Sequence, residues 1–159
     1  MSEYSVILNL TQHNATEEQK KAGVIDLPSA YQEKLKALLT FNELPQCEEV
    51  QKRAREIYDL VIEFCLDENS PVRDEVKSMI TGEIKEDKLY LDENEFKKLN
   101  IAFMIGGALW LMKPLVEELE NIGTPLFAFT KRVVEEVKKE DGSIEKKAIF
   151  KHEGFVTAC

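Results

Sequence analysis

Three short stretches of the chain carry groups that could act on a phosphate ester: "TQH" at 11–13, "GGA" at 106–108 and "TKR" at 130–132. Thr11, Gln12 and His13 bring a hydroxyl, an amide and an imidazole side by side. Such groups can read a base or ribose, donate to phosphate, or take a proton near neutral pH. The same run also suits a turn with a capping role and a solvent-facing histidine. Gly106, Gly107 and Ala108 stand where an apolar run meets a helical pattern. Open amides there, helped by the helix dipole, can hold an anion. Tight packing of strand against helix is the other reason for a glycine pair. Thr130, Lys131 and Arg132 offer a hydroxyl, a point charge and a planar fork, suited to a phosphodiester that gains charge in its transition state. Paired basic residues also occur simply as solvated surface. His152, in "FKHEGF", reads as a structural or exposed histidine on a hairpin arm.

Other chemistries find little support. "GGA" is neither a G-x-G-x-x-G fingerprint nor a P-loop, and no nucleophile elbow occurs. Glu135 and Glu136 on a strand would point to opposite faces. Cys47 opens a helix with no histidine near it in sequence. Cys47, Cys65 and Cys159 form no CxxC pair and read as free thiols. With His13 and His152 far from the cysteines, no zinc site is expected, and no metal or cofactor is called for. The net charge of −9, from 30 acidic against 21 basic residues, disfavours duplex nucleic acid and anionic membranes as partners. A small anionic ligand remains compatible with it. No apolar run reaches the length of a membrane span, and "MSEYSVILNL" lacks the pattern of a signal peptide, so a cytoplasmic protein is expected.

The elements that must position these groups can be read from periodicity. "SVILNL" (5–10), "VIDLP" (24–28), "IAFMI" (101–105) and "TPLFAFT" (124–130) read as strands. Thr16 with Gln19 forms a capping-box start for a helix that Gly23 stops. "SAYQEKLKALLTF" predicts a helix, and Val50, Ala54, Ile57, Val61, Phe64 and Cys65 predict a stronger one from Cys47 to Leu66. After the glycine pair, Ala108, Leu111, Met112, Leu115, Leu119 and Ile122 form a core stripe, interrupted by a kink or restart at Pro114. Trp110 lies off that stripe; covering an interface or a ligand is one reading, and packing beneath residues 67–99, a highly charged surface insertion, is the favoured expectation. Asp141-Gly142 marks a closing hairpin. Alternating strands and helices predict a single α/β domain over 1–159, with a mainly parallel sheet and a C-terminal β-hairpin. Ligands of such sheets settle at the carboxyl ends of the strands, the edge where all three stretches are expected to open as loops.

Three parts of the chain together resemble a known pattern: "LTQHNATEEQKKAGV", "FMIGGALWLM" and "PLFAFTKRVVEEVKKEDGSIEKKAIFKHEGF". They are similar to the small CRISPR-associated ring nucleases of the Csx type, relatives of CARF domains. The resemblance covers the two ends of the chain and the strand at 101–105. It implies a Rossmann-like three-layer domain and a homodimer. It also implies metal-independent cleavage of cyclic oligoadenylate, the second messenger of type III CRISPR immunity, through attack by a ribose 2′-hydroxyl. Carried over, Thr11, Gln12 and His13 belong to the first loop, Gly106, Gly107 and Ala108 to the phosphate turn, and Thr130, Lys131 and Arg132 to the strand-end loop; His152 matches the closing motif. In that reading His13, Lys131 and Arg132 are catalytic and the others bind ligand. The runner-up is a non-catalytic binder, sensor or sponge for the same nucleotide, of phage or host origin.

Overall fold

The computed structural model describes residues 3–85 and 88–158, with backbone alone for 79–85 and 88–90. The expected free thiol at Cys159 therefore lies outside the described residues. Strand β1 (Val6–Leu10) leads through a loop into α1 (Glu17–Lys21). The Thr16 capping box is present: Thr16 Oγ1 accepts from Gln19 N, and the Gln19 side chain accepts from Thr16 N. Strand β2 (Val24–Asp26) is shorter than its sequence pattern, because Leu27-Pro28 already turns the chain into α2 (Ser29–Leu39). Helix α3 (Cys47–Cys65) buries every residue of the stripe read from its sequence. Helix α4 (Arg73–Met79), an antiparallel pair β3 (Ile80–Lys85) and β4 (Lys88–Leu91), and α5 (Glu93–Lys97) follow. Then come β5 (Ile101–Ile105), α6 (Leu109–Leu119), β6 (Thr124–Lys138) and β7 (Ile144–Thr157).

Five strands form one sheet in the order β2-β1-β5-β6-β7, parallel except for β7. Alternation splits its side chains between two clusters. Val6, Leu8, Leu10, Ile101, Phe103 and Ile105 join α2, α3 and α6 in the large core. Ile7, Ala102, Met104 and Leu126 face the other way, under Ala15, Tyr4 and Phe155. Right-handed crossovers require this arrangement. The chain steps from β1 to β2 in one direction and from β5 to β6 in the opposite direction, which sends α1 and α6 to opposite faces. Accordingly, Lys21 to Gly23, at the end of α1, border a hollow with Ile7, Leu126 and Phe155.

Four features add to the sequence reading or differ from it. First, β6 does not stop at Thr130 but runs on to Lys138, paired with β7 as a two-stranded ribbon. Residues 128–151 of this ribbon are exposed except for the half-buried Val133 and the turn ends in Gly142, whose φ of 85° suits glycine. Second, the charged segment is pinned to the body, because Val76 and Phe96 are fully buried in the main core. Third, Trp110 packs edge-on against Phe41, ring centroids 5.6 Å apart, and not beneath that segment. Fourth, no restart occurs at Pro114, which lies inside the continuous α6.

Candidate functional site at the carboxyl rim of the sheet

The chain reverses direction across the sheet between β1 and β5: β2 lies on one side of β1, and β5 and β6 lie on the other. This is a topological switch point, where the loops leaving neighbouring strands diverge and open a crevice. Leu10 and Ile105 are the last register partners, so the loops at Thr11 and Gly106 leave side by side. A Cβ placed on Gly106 would sit 3.6 Å from Thr11 Cγ2. That is ordinary contact, so close packing does not demand glycine here. Gly107 is different: its φ of 135° is a conformation that side chains resist. The two glycines thus swing the backbone into α6 without crowding it.

Helix α6 begins at Ala108 with no side-chain cap and no acidic residue in its first turn. The start of α2, on the same rim after β2, also has neither. By contrast α1 and α5 are capped by Thr16 and Asp92. Two helix ends with open amides therefore face the rim, a setting that favours negative charge.

The first loop is held rigidly by residues that the motif reading passed over. Asn9 is 5% exposed within an otherwise apolar strand. Its Nδ2 donates to Asp26 Oδ1 (2.8 Å) and to the His13 carbonyl (2.7 Å), and its Oδ1 accepts from Thr11 N (3.0 Å) and Thr11 Oγ1 (2.7 Å). Asp26 Oδ1 also accepts from Ala15 N at 2.9 Å. A lone Asn near the end of "VILNL" was the available signal. Gln12 Nε2 donates to Thr40 Oγ1 at 3.3 Å, tying the loop to the segment after α2. Arg53 fixes that segment by donating to the carbonyls of Ala37, Leu38 and Thr40 while pairing with Glu49 at 2.9 Å. Beside the loop lies a polar hollow of about 240 Å³, lined by Thr11, Gln12, His13, Gln32 and Lys36 among others.

Thr11, Gln12, Gly106, Gly107 and Ala108 thus share one rim, with the exposed His13 on the neighbouring hollow. The third stretch stands apart from them. Lys131 and Arg132 follow Phe127 by four and five residues along β6, about 13 and 17 Å farther at roughly 3.3 Å per residue. As strand neighbours they also point to opposite faces. Lys131 lies 3.9 Å from Glu153, whereas Arg132 has no ion-pair partner among the described residues. Thr130 is paired across the ribbon with His152. The His152 ring rests on Phe155, centroids 4.8 Å apart, and its Nδ1 is buried without a partner among the described residues. No helix among the described residues is long and apolar enough to cross a membrane. No group of three or more His, Cys, Asp or Glu is gathered there as a metal site.

No curated protein and no solved structure matches the chain. A family model does, over residues 5–156, from the start of the first strand to the end of the last. The chain therefore belongs to the uncharacterized protein MJ1673 family.

Proposed function

We propose that the chain binds a cyclic oligoadenylate at the carboxyl rim of a Rossmann-like domain and cleaves it, as a ring nuclease of type III CRISPR signalling. The observation that carries this reading is the switch point itself: the Thr11–Gln12 loop beside the Gly106–Gly107 turn, above the uncapped start of α6. Amides of Gly107 and Ala108 seat a phosphate, and Thr11 and Gln12 meet ribose or base. Thr130 and His152 flank the ligand from the ribbon. In the reaction a ribose 2′-oxygen attacks the adjacent phosphorus and the 5′-oxygen leaves. The products are a 2′,3′-cyclic phosphate and a free 5′-hydroxyl. His13 accepts the 2′-proton, a proton returns to the 5′-oxygen, and the Gly107 and Ala108 amides at the start of α6 offset the charge that builds on the phosphoryl oxygens; Lys131 and Arg132, expected from the sequence to do this, stand too far up the ribbon.

Binding without cleavage is the second reading. It is favoured by the opposed directions of Lys131 and Arg132 and by a His13 ring with no hydrogen bond to orient it among the described residues. Incubation with cyclic tetra- and hexa-adenylate in EDTA, followed by chromatographic separation, discriminates the two. Linear products ending in cyclic phosphate support the nuclease, and tight binding of intact ring supports the binder. No binding of either ring rejects both.

A further inference from the structure

Two surfaces of this molecule are left uncovered, and they match. One is the ribbon. Val134, Ile144 and Phe150 share one of its faces with Arg132, Lys138 and Lys146 and a single acid, Glu136, and Phe150 is 71% exposed. A two-stranded ribbon on its own is marginally stable in water. This one extends 11 residues beyond Phe127 on β6, about 36 Å, which is the width of a domain of this size. The other surface is a groove of about 570 Å³ between the loop before α3 and the flank of α6, lined by Leu44, Pro45, Val50, Trp110 and Pro114. Leu44 and the nearby Leu109 are 89% and 86% exposed.

Charge distinguishes the two. Residues 130–152 hold seven Lys and Arg against five Asp and Glu, a net +2; with −9 on the whole chain, the remainder carries −11. Glu117 and Lys113 line the groove, and Glu43 and Glu48 flank its Leu44 and Cys47 in the chain; none of the three glutamates has an ion-pair partner among the described residues. A basic, apolar arm and an acidic, apolar groove on one chain cannot satisfy each other within that chain if the arm leads away from the body. Two copies related by a two-fold axis cover both surfaces at once.

We propose that the ribbon of one copy docks in the Leu44–Trp110 groove of a second copy, and that the exchange is reciprocal. Phe150 and its apolar neighbours fill the groove, and the ribbon's cations meet the glutamates at its margin. This exchange does not depend on the nucleotide reading.

Sedimentation of the full chain tests it with two variants at exposed positions, Phe150→Asp on the arm and Leu44→Asp in the groove. The expected result is a dimer whose Kd rises about tenfold or more in either variant, with unchanged circular dichroism. An equal mixture of the two variants should regain association, because each heterodimer keeps one intact arm–groove contact. A monomeric wild-type chain, a variant that dimerises as tightly as wild type, or a mixture that gains nothing would each overturn the proposal; the last outcome would point to arm-on-arm pairing.

Discussion

Asn9 and Asp26 are register partners on adjacent parallel strands, and the Asn9 amide donates directly to the Asp26 carboxylate at 2.8 Å. Between them they accept from the amides of Thr11 and Ala15, so one polar pair anchors both ends of the 11–15 loop. Replacing Asn9 by Leu keeps the volume but strands these partners in a buried setting, a loss of about 1–3 kcal/mol. Urea denaturation should show it. Hydrogen exchange should quicken at Thr11 and Ala15 while β5 stays protected. An unchanged midpoint with unchanged exchange would mean that the loop holds itself.

Of Gly106, before α6, and Gly123, after it, the one under steric demand is Gly123. A Cβ on Gly123 would lie 2.3 Å from the Ile101 carbonyl oxygen and 2.7 Å from the Phe103 ring. Gly123→Ala should therefore cost about 1–3 kcal/mol through forced repacking of β5. Gly106→Ala, meeting only Thr11 Cγ2 at 3.6 Å, should leave the thermal midpoint close to wild type. Equal losses in both variants would contradict this contrast.

The fold was readable where one periodicity dominates. The stripes of α3 and α6 and the buried runs of β1 and β5 are unambiguous because their apolar spacing admits one solution. The ribbon was not. "TKRVVEEVKK" alternates weakly and carries charge on both faces, so nothing local shows that β6 continues from the sheet instead of breaking into a loop. That continuation is what lifts Lys131 and Arg132 off the rim. The Arg53 clamp was also hidden, since its targets are carbonyls 13 to 16 residues away that only the α2–α3 packing brings near. The rim residues Thr11, Gln12, Gly106 and Gly107 were found because strand ends are legible and parallel sheets gather them on one edge.

Arg53 holds the last turn of α2 through three carbonyls, pairs with Glu49, and lies 4.6 Å over the Phe41 ring. Nη1 meets the three carbonyls while Nε meets Glu49, a spread of donors that the single nitrogen of an ammonium does not offer. Arg53→Ala should lower stability by about 1–3 kcal/mol, as expected for losing hydrogen bonds to a charged group. Arg53→Lys should recover less than half of that loss. Full rescue by lysine in chemical denaturation would show that charge alone is enough. The 40–46 segment touches the rim through Gln12 and Trp110, so the alanine variant should also weaken any ligand bound there.

Burial pushes the Cys65 thiol from an ordinary 9.0 up to about 12. Burial, followed by the hydrogen bond to Asp67, raises Tyr31 from 10.0 to about 12. Both groups stay protonated in the folded chain while the unfolded chain ionises. Their contribution to stability is thus fully present below about pH 9 and is lost as pH rises toward 12. The urea midpoint should fall across that window, and in Cys65→Ala the fall should begin later, near the tyrosine range, from a lower plateau. The same burial predicts selective chemistry. Cys47 is exposed at the start of α3 and Cys65 is enclosed, so iodoacetamide should label Cys47 in the folded protein and Cys65 only in urea, as read by peptide mass mapping. Thiolate is the reactive form and needs both access and ionisation; equal labelling of the two in native buffer would mean that the core around Phe64 and Cys65 opens far more readily than its packing implies.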